Sequence, residues 1–219
     1  YGLGACSAPT FGLFCAGRVP GNIGSLDTDK YTFATNAVSA GTALSIGQIY
    51  PAMFGSKTAG YIAGGLGNTV LNCLKTVVRY TFATDAVEQK TDLTYVTSSP
   101  QAYSSSTAGI VGGGPKDDGA FQTVTNKYTF LTDAVTLATE LNVAISGQAT
   151  CASPTTGLLA GGLDATITNI VSTDKYAFAT DARSAGTNIG QGRDSGAGCA
   201  PPCYTLDIIQ PLKIETTST

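Results

Sequence analysis

Histidine and tryptophan are absent from this 219-residue chain, and methionine occurs once. Without histidine, neither a Ser-His-Asp triad nor a Cys-His pair can form within the chain, and the commonest metal-binding side chain is missing. The six cysteines show no paired C-x2-C spacing, which disfavours a zinc site. The sequence therefore predicts no catalytic residues, no metal site and no cofactor.

Charge is scarce as well. Charged residues make up 12% of the chain and the formal net charge is −3, so the basic patch with which proteins contact nucleic-acid phosphates is missing. No apolar run reaches the roughly 18 residues of a membrane-spanning helix, and no long segment has helical periodicity. These absences predict an all-β chain with no nucleic-acid partner and no membrane span.

Glycine is abundant, with 27 residues, and it recurs at a fixed period. Four short apolar segments begin and end in glycine, and their first residues lie 48, 49 and 48 positions apart. Apolar runs of this length are typical of buried strands. The segments span residues 12–17, 60–65, 109–114 and 157–162.

A second phrase, Tyr-x-Phe-x-Thr-Asx-Ala, repeats in step with the first. Large apolar residues alternate with small or polar ones, which indicates a half-buried strand, and the following Thr-Asx is a turn signal. Asp85, Asp133 and Asp181 are therefore interpreted as turn-forming residues. The phrase starts at Tyr31, Tyr80, Tyr128 and Tyr176, 49, 48 and 48 residues apart.

Each unit is thus predicted to hold four short strands, which is typical of a propeller blade. The chain resembles the kelch-repeat family of β-propellers, through the glycine doublets at 64–65, 112–113 and 161–162 and the tyrosine about fifteen residues after each. The Tyr-x-Phe-Ala-Thr-Asp variant is similar to kelch-like repeats of phage, bacterial and other extracellular proteins. Kelch-based copper-radical oxidases need histidine ligands, so that branch is excluded.

In this fold the glycines are expected to let inner strands crowd around a central channel, and the tyrosine and phenylalanine rings to fill the gaps between blades. The sequence ACSAPTF at 5–11 resembles GCAPPCY at 198–204, which favours five blades in one domain. Closure with four blades, the C-terminal segment pairing outside the ring or with another subunit, is the alternative. The predicted units are 1–48, 49–96, 97–144, 145–192 and a partial fifth at 193–219.

Six cysteines permit disulfides without requiring them. Cys6 and Cys15 flank a short turn, and Cys199 and Cys203 are close in sequence, so these are the candidate pairs. The alternative is that the cysteines are small buried hydrophobic residues. Low charge, abundant Thr, Ser and Gly, and candidate disulfides together favour an extracellular or virion-surface location.

Ligand binding is expected on the loops that follow the glycine segments, because these loops differ between units. They should project from one face and offer amides, hydroxyls, charges and one aromatic ring to a sugar or a protein. The Asp117-Asp118 pair is also a strong turn signal. The candidate residues are Arg18, Asn22, Asn68, Asn72, Lys116, Asp117, Asp118, Phe121, Asp164 and Asn169.

The function favoured by these features is non-catalytic recognition or adhesion, with a surface glycan or a partner protein as ligand. One alternative is a structural subunit of a virion appendage or extracellular filament, forming a homo-oligomer through its terminal strands. Another is a glycoside hydrolase that would use two of the 15 carboxylates, since that chemistry needs no histidine.

Overall fold

A computed structural model of the chain describes residues 2–21, 23–67 and 72–196. Within these residues there are 22 strands and no helix. The first unit contains β1 (Gly4–Ser7), β2 (Phe11–Cys15), β3 (Arg18–Val19), β4 (Ile23–Gly24), β5 (Thr28–Thr32) and β6 (Ala37–Ala40). The second contains β7 (Gln48–Ile49), β8 (Ala52–Gly55), β9 (Ala59–Ala63), β10 (Leu66–Gly67), β11 (Val77–Thr81) and β12 (Ala86–Gln89). The third contains β13 (Gln101–Ser104), β14 (Ala108–Gly112), β15 (Thr125–Thr129) and β16 (Ala134–Ala138). The fourth contains β17 (Ile145–Ser146), β18 (Ala149–Ala152), β19 (Thr156–Ala160), β20 (Leu163–Asp164), β21 (Thr173–Ala177) and β22 (Ala182–Ala185).

Four antiparallel sheets of four strands follow one another along the chain. We call them blade 1 (β1-β2-β5-β6), blade 2 (β8-β9-β11-β12), blade 3 (β13-β14-β15-β16) and blade 4 (β18-β19-β21-β22). The first strands of successive blades lie against each other, β1 on β8, β8 on β13 and β13 on β18. These strands are therefore the innermost, and the chain is the predicted all-β propeller of four-stranded blades.

The glycine segments form the second strand of each blade, and β9 and β14 are buried along their whole length. The glycine doublets that end the last three segments have a different role from the one expected. Gly64 and Gly65 follow β9 with φ of 66° and 93°, a left-handed conformation that favours glycine. A Cβ on Gly65 would lie 2.7 Å from the carbonyl oxygen of Ile49, so the close approach is to a connecting segment and not to an inner strand.

Adjacent blades interlock because one side chain of each blade enters a glycine position of the next. A Cβ on Gly109, in blade 3, would lie 2.1 Å from the ring of Phe54, in blade 2. Only a residue without a side chain leaves room for that ring. We call the glycine a notch and the side chain that enters it a knob. The three pairs are Cys6 in Gly60, Phe54 in Gly109 and Tyr103 in Gly157.

Aromatic rings fill the space between blades, as predicted. The ring centroids of Tyr61 in blade 2 and Tyr128 in blade 3 are 5.0 Å apart, and those of Tyr61 and Phe130 are 5.1 Å apart. Tyr80, Tyr128 and Tyr176 are fully buried. Burial of such large rings supplies most of the energy of packing one blade on the next.

The aspartates after the tyrosine strands lie at turns with φ between 53° and 56°, and each also joins two blades. Asp181, in blade 4, accepts hydrogen bonds from Tyr176 of its own blade at 2.5 Å and from Lys127 of blade 3 at 2.8 Å. The other two repeat this pattern. Asp85 bonds Tyr80 and Lys30, whereas Asp133 bonds Tyr128 and pairs with Arg79 and Lys90.

These contacts make stability depend on pH. Hydrogen bonds from Lys30 hold the pKa of Asp85 below its ordinary value of 3.8. Burial alone would raise the pKa of Asp181, but bonds from Lys127 and Tyr176 outweigh it and lower the pKa. A carboxylate whose pKa is lowered by folding stabilises the protein above its unfolded pKa, and that stability is lost as the pH falls through the folded value.

We therefore expect the free energy of unfolding to decrease as the pH drops below about 4. Each half-exposed pair should contribute about 0.2–1 kcal/mol to this decrease. Replacing all three aspartates with Asn should reduce this loss of stability at low pH, because the Asn amide does not titrate. Asn can still accept the tyrosine hydroxyl, as Asn36 in blade 1 does from Tyr31 at 2.8 Å. Urea unfolding between pH 2 and 7 measures the effect. An equal loss of stability at low pH in the parent and the triple variant would contradict this expectation.

The candidate disulfide between Cys6 and Cys15 is not formed. The register of β1 and β2 pairs Cys6 with Leu13 and Cys15 with Gly4, so the two cysteines are offset along the strands. Both are free thiols, as are Cys73 and Cys151, and burial raises the pKa of Cys15 to about 12. The second candidate pair, Cys199 with Cys203, lies outside the described residues.

Candidate functional site

A cavity of about 540 Å³ lies at one end of the propeller axis. It is formed where the inner strands begin, and we call it the axial mouth. Because β1 and β2 are antiparallel, Gly4 lies opposite Cys15, at the end of β2 where the following loop begins. The mouth therefore opens on the face that carries the variable loops. Its walls come from residues 2–5, 50–53, 99–102, 146–147 and 194–196, together with Thr150 and Leu163.

A ring of left-handed residues surrounds this mouth. Tyr50 and Ser99 have φ of 55° and 47°, a conformation that is uncommon outside glycine and collects at functional sites. The Tyr50 amide donates to the Gly2 carbonyl at 3.1 Å, and the Ser99 amide donates to the Tyr50 carbonyl at 3.1 Å. The backbone at the mouth is therefore linked from blade to blade. The ring members are Gly2, Tyr50, Ser99, Gly147 and Ser195, at intervals of 48 or 49 residues.

The lining combines one aromatic ring with several hydrogen-bonding groups. Tyr50 lies over Gly2, where a Cβ would be 2.7 Å from the ring. Gln101 and Thr150 line the wall, and the Ser195 hydroxyl donates to the Asp194 carboxylate at 3.2 Å. Apolar surface with a few polar groups is the usual composition of a small-molecule site.

The two described candidates in the first two loops lie away from the mouth. Arg18 lies in β3 and lines a separate cavity of about 330 Å³ on blade 1, together with Asp27 and Asp29. Asn72 is exposed, and its carbonyl accepts the Gly67 amide at 3.0 Å. Asn22 and Asn68 lie outside the described residues.

The candidates in the third loop form a compact turn. Asp118 accepts the Ala120 amide at 2.9 Å and pairs with Lys116 at 3.4 Å. The Ala120 amide is the main reason that the pKa of Asp118 is lowered. Phe121 is half-buried and bridges to Pro115.

Asp117 has a second role, because its carboxylate accepts the Cys73 amide of the preceding loop at 2.6 Å. The Cys73 thiol in turn donates to the Pro115 carbonyl at 3.4 Å. Asp117 thus joins the loops of blades 2 and 3, and sequence reasoning, which treated each loop separately, missed this contact.

The fourth loop is organised by Asp164. Its carboxylate accepts the Thr166 amide and hydroxyl at 2.9 and 2.7 Å and the Thr168 amide at 3.1 Å. These bonds, the Thr166 hydroxyl first, lower the pKa of Asp164. Asn169 is exposed and bridges to Leu163. Only Leu163 among these residues reaches the mouth, so the described candidates fix the loops and line no part of the mouth.

Two further features bear on the chemistry. Among residues 2–21, 23–67 and 72–196, no three acidic or cysteine side chains converge as a metal site would require. The same part of the chain holds no helix long and apolar enough to cross a membrane.

No protein-family model matches the chain, and no curated protein matches it in sequence. The structure of YjhT is similar to it, with a TM-score of 0.77 over 90% of this chain and 73% of YjhT, at 10% sequence identity. At this identity the likeness concerns the fold alone, and it supports the propeller architecture. The kelch-like assignment of the repeat stays a prediction.

Proposed function

We propose that this propeller is a non-catalytic recognition module that binds a surface glycan in its axial mouth. The observation that carries the proposal is the composition of that mouth. It combines the Tyr50 ring with hydroxyl, amide and carboxylate groups from several repeats. A sugar presents an apolar ring face and a rim of hydroxyls, and these match an aromatic ring and fixed hydrogen-bonding groups.

The positions of the carboxylates favour binding over hydrolysis. A glycosidase needs two carboxyl groups about 5–9.5 Å apart on either side of the scissile bond. Asp194 is the one carboxylate among the described residues of the lining. On the loop face, Asp118 and Asp164 accept backbone hydrogen bonds within their own loops, and Asp117 accepts one from the preceding loop.

We also propose that such a site is used multivalently at an extracellular or virion surface. Several copies of the propeller on one particle would bind a glycan-covered surface much more tightly than one copy does. A partner protein is the other class of ligand, and the experiment below separates the two.

A glycan array, followed by titration of the best ligand, tests the proposal. We expect Tyr50→Ala and Asp194→Ala each to weaken binding at least about tenfold, since loss of a central contact costs about 1.4 kcal/mol or more. The matched controls are Asp118→Asn and Lys116→Ala, on the same face but outside the lining, and these should bind like the parent. Thermal unfolding confirms that each variant is folded.

Two results would contradict this proposal. Loss of binding in the loop variants with full binding in the mouth variants would place the site on the loops. Absence of binding to every glycan on the array, together with large assemblies in light scattering, would favour the structural-subunit function.

A further inference from the structure

The charge of the axial mouth comes from one side chain. Asp194 is the single charged residue among the described residues of the lining, and the others are neutral polar or apolar. Asp194 is exposed, and its Cβ atom would lie 3.9 Å from a Cβ on Gly147, a member of the left-handed ring. A ligand that enters the mouth therefore meets a negative charge beside this ring.

Hydrogen bonds on both sides fix the position of Asp194. The Gly162 amide of blade 4 donates to the Arg193 carbonyl at 2.8 Å, and the Gly196 amide donates to the Gly147 carbonyl at 3.4 Å. The Ser195 hydroxyl donates to one of the two carboxylate oxygens. These residues begin the predicted fifth unit, of which the structure describes only 193–196. The carboxylate is thus attached to blade 4 at the mouth.

The described cations are placed elsewhere. None of the described lysines and arginines lines the mouth, and this includes Arg193, which adjoins Asp194 in sequence. Arg18 lines the separate cavity on blade 1. The cations that pair with carboxylates are Lys30, Lys75, Arg79, Lys90, Lys116, Lys127 and Arg183. An acidic group in the mouth would therefore find no described side chain of opposite charge.

The backbone at the mouth does not replace these cations. Backbone amides in turns that contain left-handed residues can form an anion site when they point at the ligand. Here the Tyr50 amide donates to the Gly2 carbonyl, and the Ser99 amide donates to the Tyr50 carbonyl. Both amides are used within the protein, so an acidic sugar would gain no charge-assisted hydrogen bond from them.

We propose, on the basis of the proposed function, that Asp194 makes the mouth selective by charge. A sugar with an amine binds more tightly than its uncharged counterpart, and a sugar with a carboxylate binds more weakly. The ammonium group gains a charge-assisted hydrogen bond to Asp194, whereas an acidic group is repelled and loses water without gaining a cation. Because Asp194 is exposed, each effect should be about two- to fivefold in affinity.

Matched sugars test this selectivity. Glucose, galactose and mannose are each presented in three forms that differ only at carbon 6, which carries an alcohol, an amine or a carboxylate. For every sugar that binds, we expect the amine form to bind most tightly and the carboxylate form most weakly, about tenfold apart. Raising the salt from about 0.1 M to about 1 M should reduce this difference to about twofold, because screening then acts within about 3 Å.

A neutral variant of the same shape separates charge from steric fit. Asp194→Asn keeps the carbonyl oxygen but removes the charge, so the three forms of each sugar should bind within about twofold of one another. Asp118→Asn removes a carboxylate outside the lining and should keep the ranking of the parent. Thermal unfolding confirms that both variants are folded.

The remaining outcomes overturn the inference. Tighter binding of the carboxylate forms would do so, as would a ranking that persists in Asp194→Asn or at high salt, and these results would leave glycan binding itself intact. Binding to none of the nine sugar forms would also overturn it. Absence of binding to every glycan on the wider array would overturn the proposed function as well.

Discussion

Replacing Asp174 with valine should lower the free energy of unfolding by about 3–5 kcal/mol, the cost of leaving a buried charge without its partner. Asp174 and Arg183 form an ion pair at 3.2 Å, and their side chains are only 7% and 1% exposed. The Asp174 carboxylate also accepts the Asn142 amide of the preceding blade at 3.1 Å. Removing the carboxylate would leave the Arg183 guanidinium buried between blades 3 and 4 without an opposite charge.

The repeat supplies a matched control for this experiment. Val78 and Val87 occupy the positions of Asp174 and Arg183 in blade 2. The double variant Asp174→Val with Arg183→Val should therefore recover most of the lost stability. A loss of about 1 kcal/mol should remain, because the Asn142 amide no longer has its acceptor. Urea unfolding of the parent, both single variants and the double variant gives the coupling energy.

Two results would contradict the expectation. One is a single variant that costs less than about 1 kcal/mol, and the other is a double variant no more stable than the single one. Either would mean that the Arg183 charge is compensated without Asp174, by water or by the Thr139 carbonyl and the Tyr103 hydroxyl that also accept hydrogen bonds from it.

Gly157→Ala should destabilise the protein by about 3 kcal/mol, at the upper end of the usual cost of overpacking. The new methyl group would lie 2.1 Å from the Tyr103 ring, and this ring has little room to move because it also packs against Tyr176 and Phe178. Relief would require a shift of blade 4 relative to blade 3. Chemical unfolding and the melting temperature measure the effect.

Gly55→Ala is the control for this substitution. A methyl group there would be no closer than 3.4 Å to the Ala59 carbonyl oxygen. Its effect should be neutral or slightly stabilising, because alanine restricts the unfolded chain more than glycine does. Equal losses at both positions would show that backbone propensity, and not the interlocking of blades, explains the glycines.

The repeat was enough to predict much of the fold. The period of 48 residues and its two repeated sequence phrases predicted the strand content and the packing of the Tyr128 and Phe130 rings between blades. Both depend on local patterns that recur in each unit. The role of Gly109 as a notch was not predicted, since it depends on Phe54, which lies in another unit at the far side of an interface. The ion pairs of Asp85 and Asp181 were missed for the same reason.

The candidate site was less predictable than the fold. The mouth is built by backbone conformation, and its ring members are Gly2, Tyr50, Ser99, Gly147 and Ser195, so no shared residue type marks them. Aligning the units at their period places these residues in one column, but only the folded chain shows that this column faces the axis. The loops were predicted to bind a ligand because of their polar residues. The carboxylates of Asp164 and Asp118 instead accept hydrogen bonds from within those loops.

The interlocking of the blades has a fixed direction. At each described interface the preceding blade contributes the entering side chain and the cation, and the following blade contributes the glycine and the carboxylate. A blade therefore has two unlike sides, and a tandem duplicate of one unit would automatically meet its neighbours with matching sides. Growth by gene duplication would then need no new interface chemistry, only a wider ring.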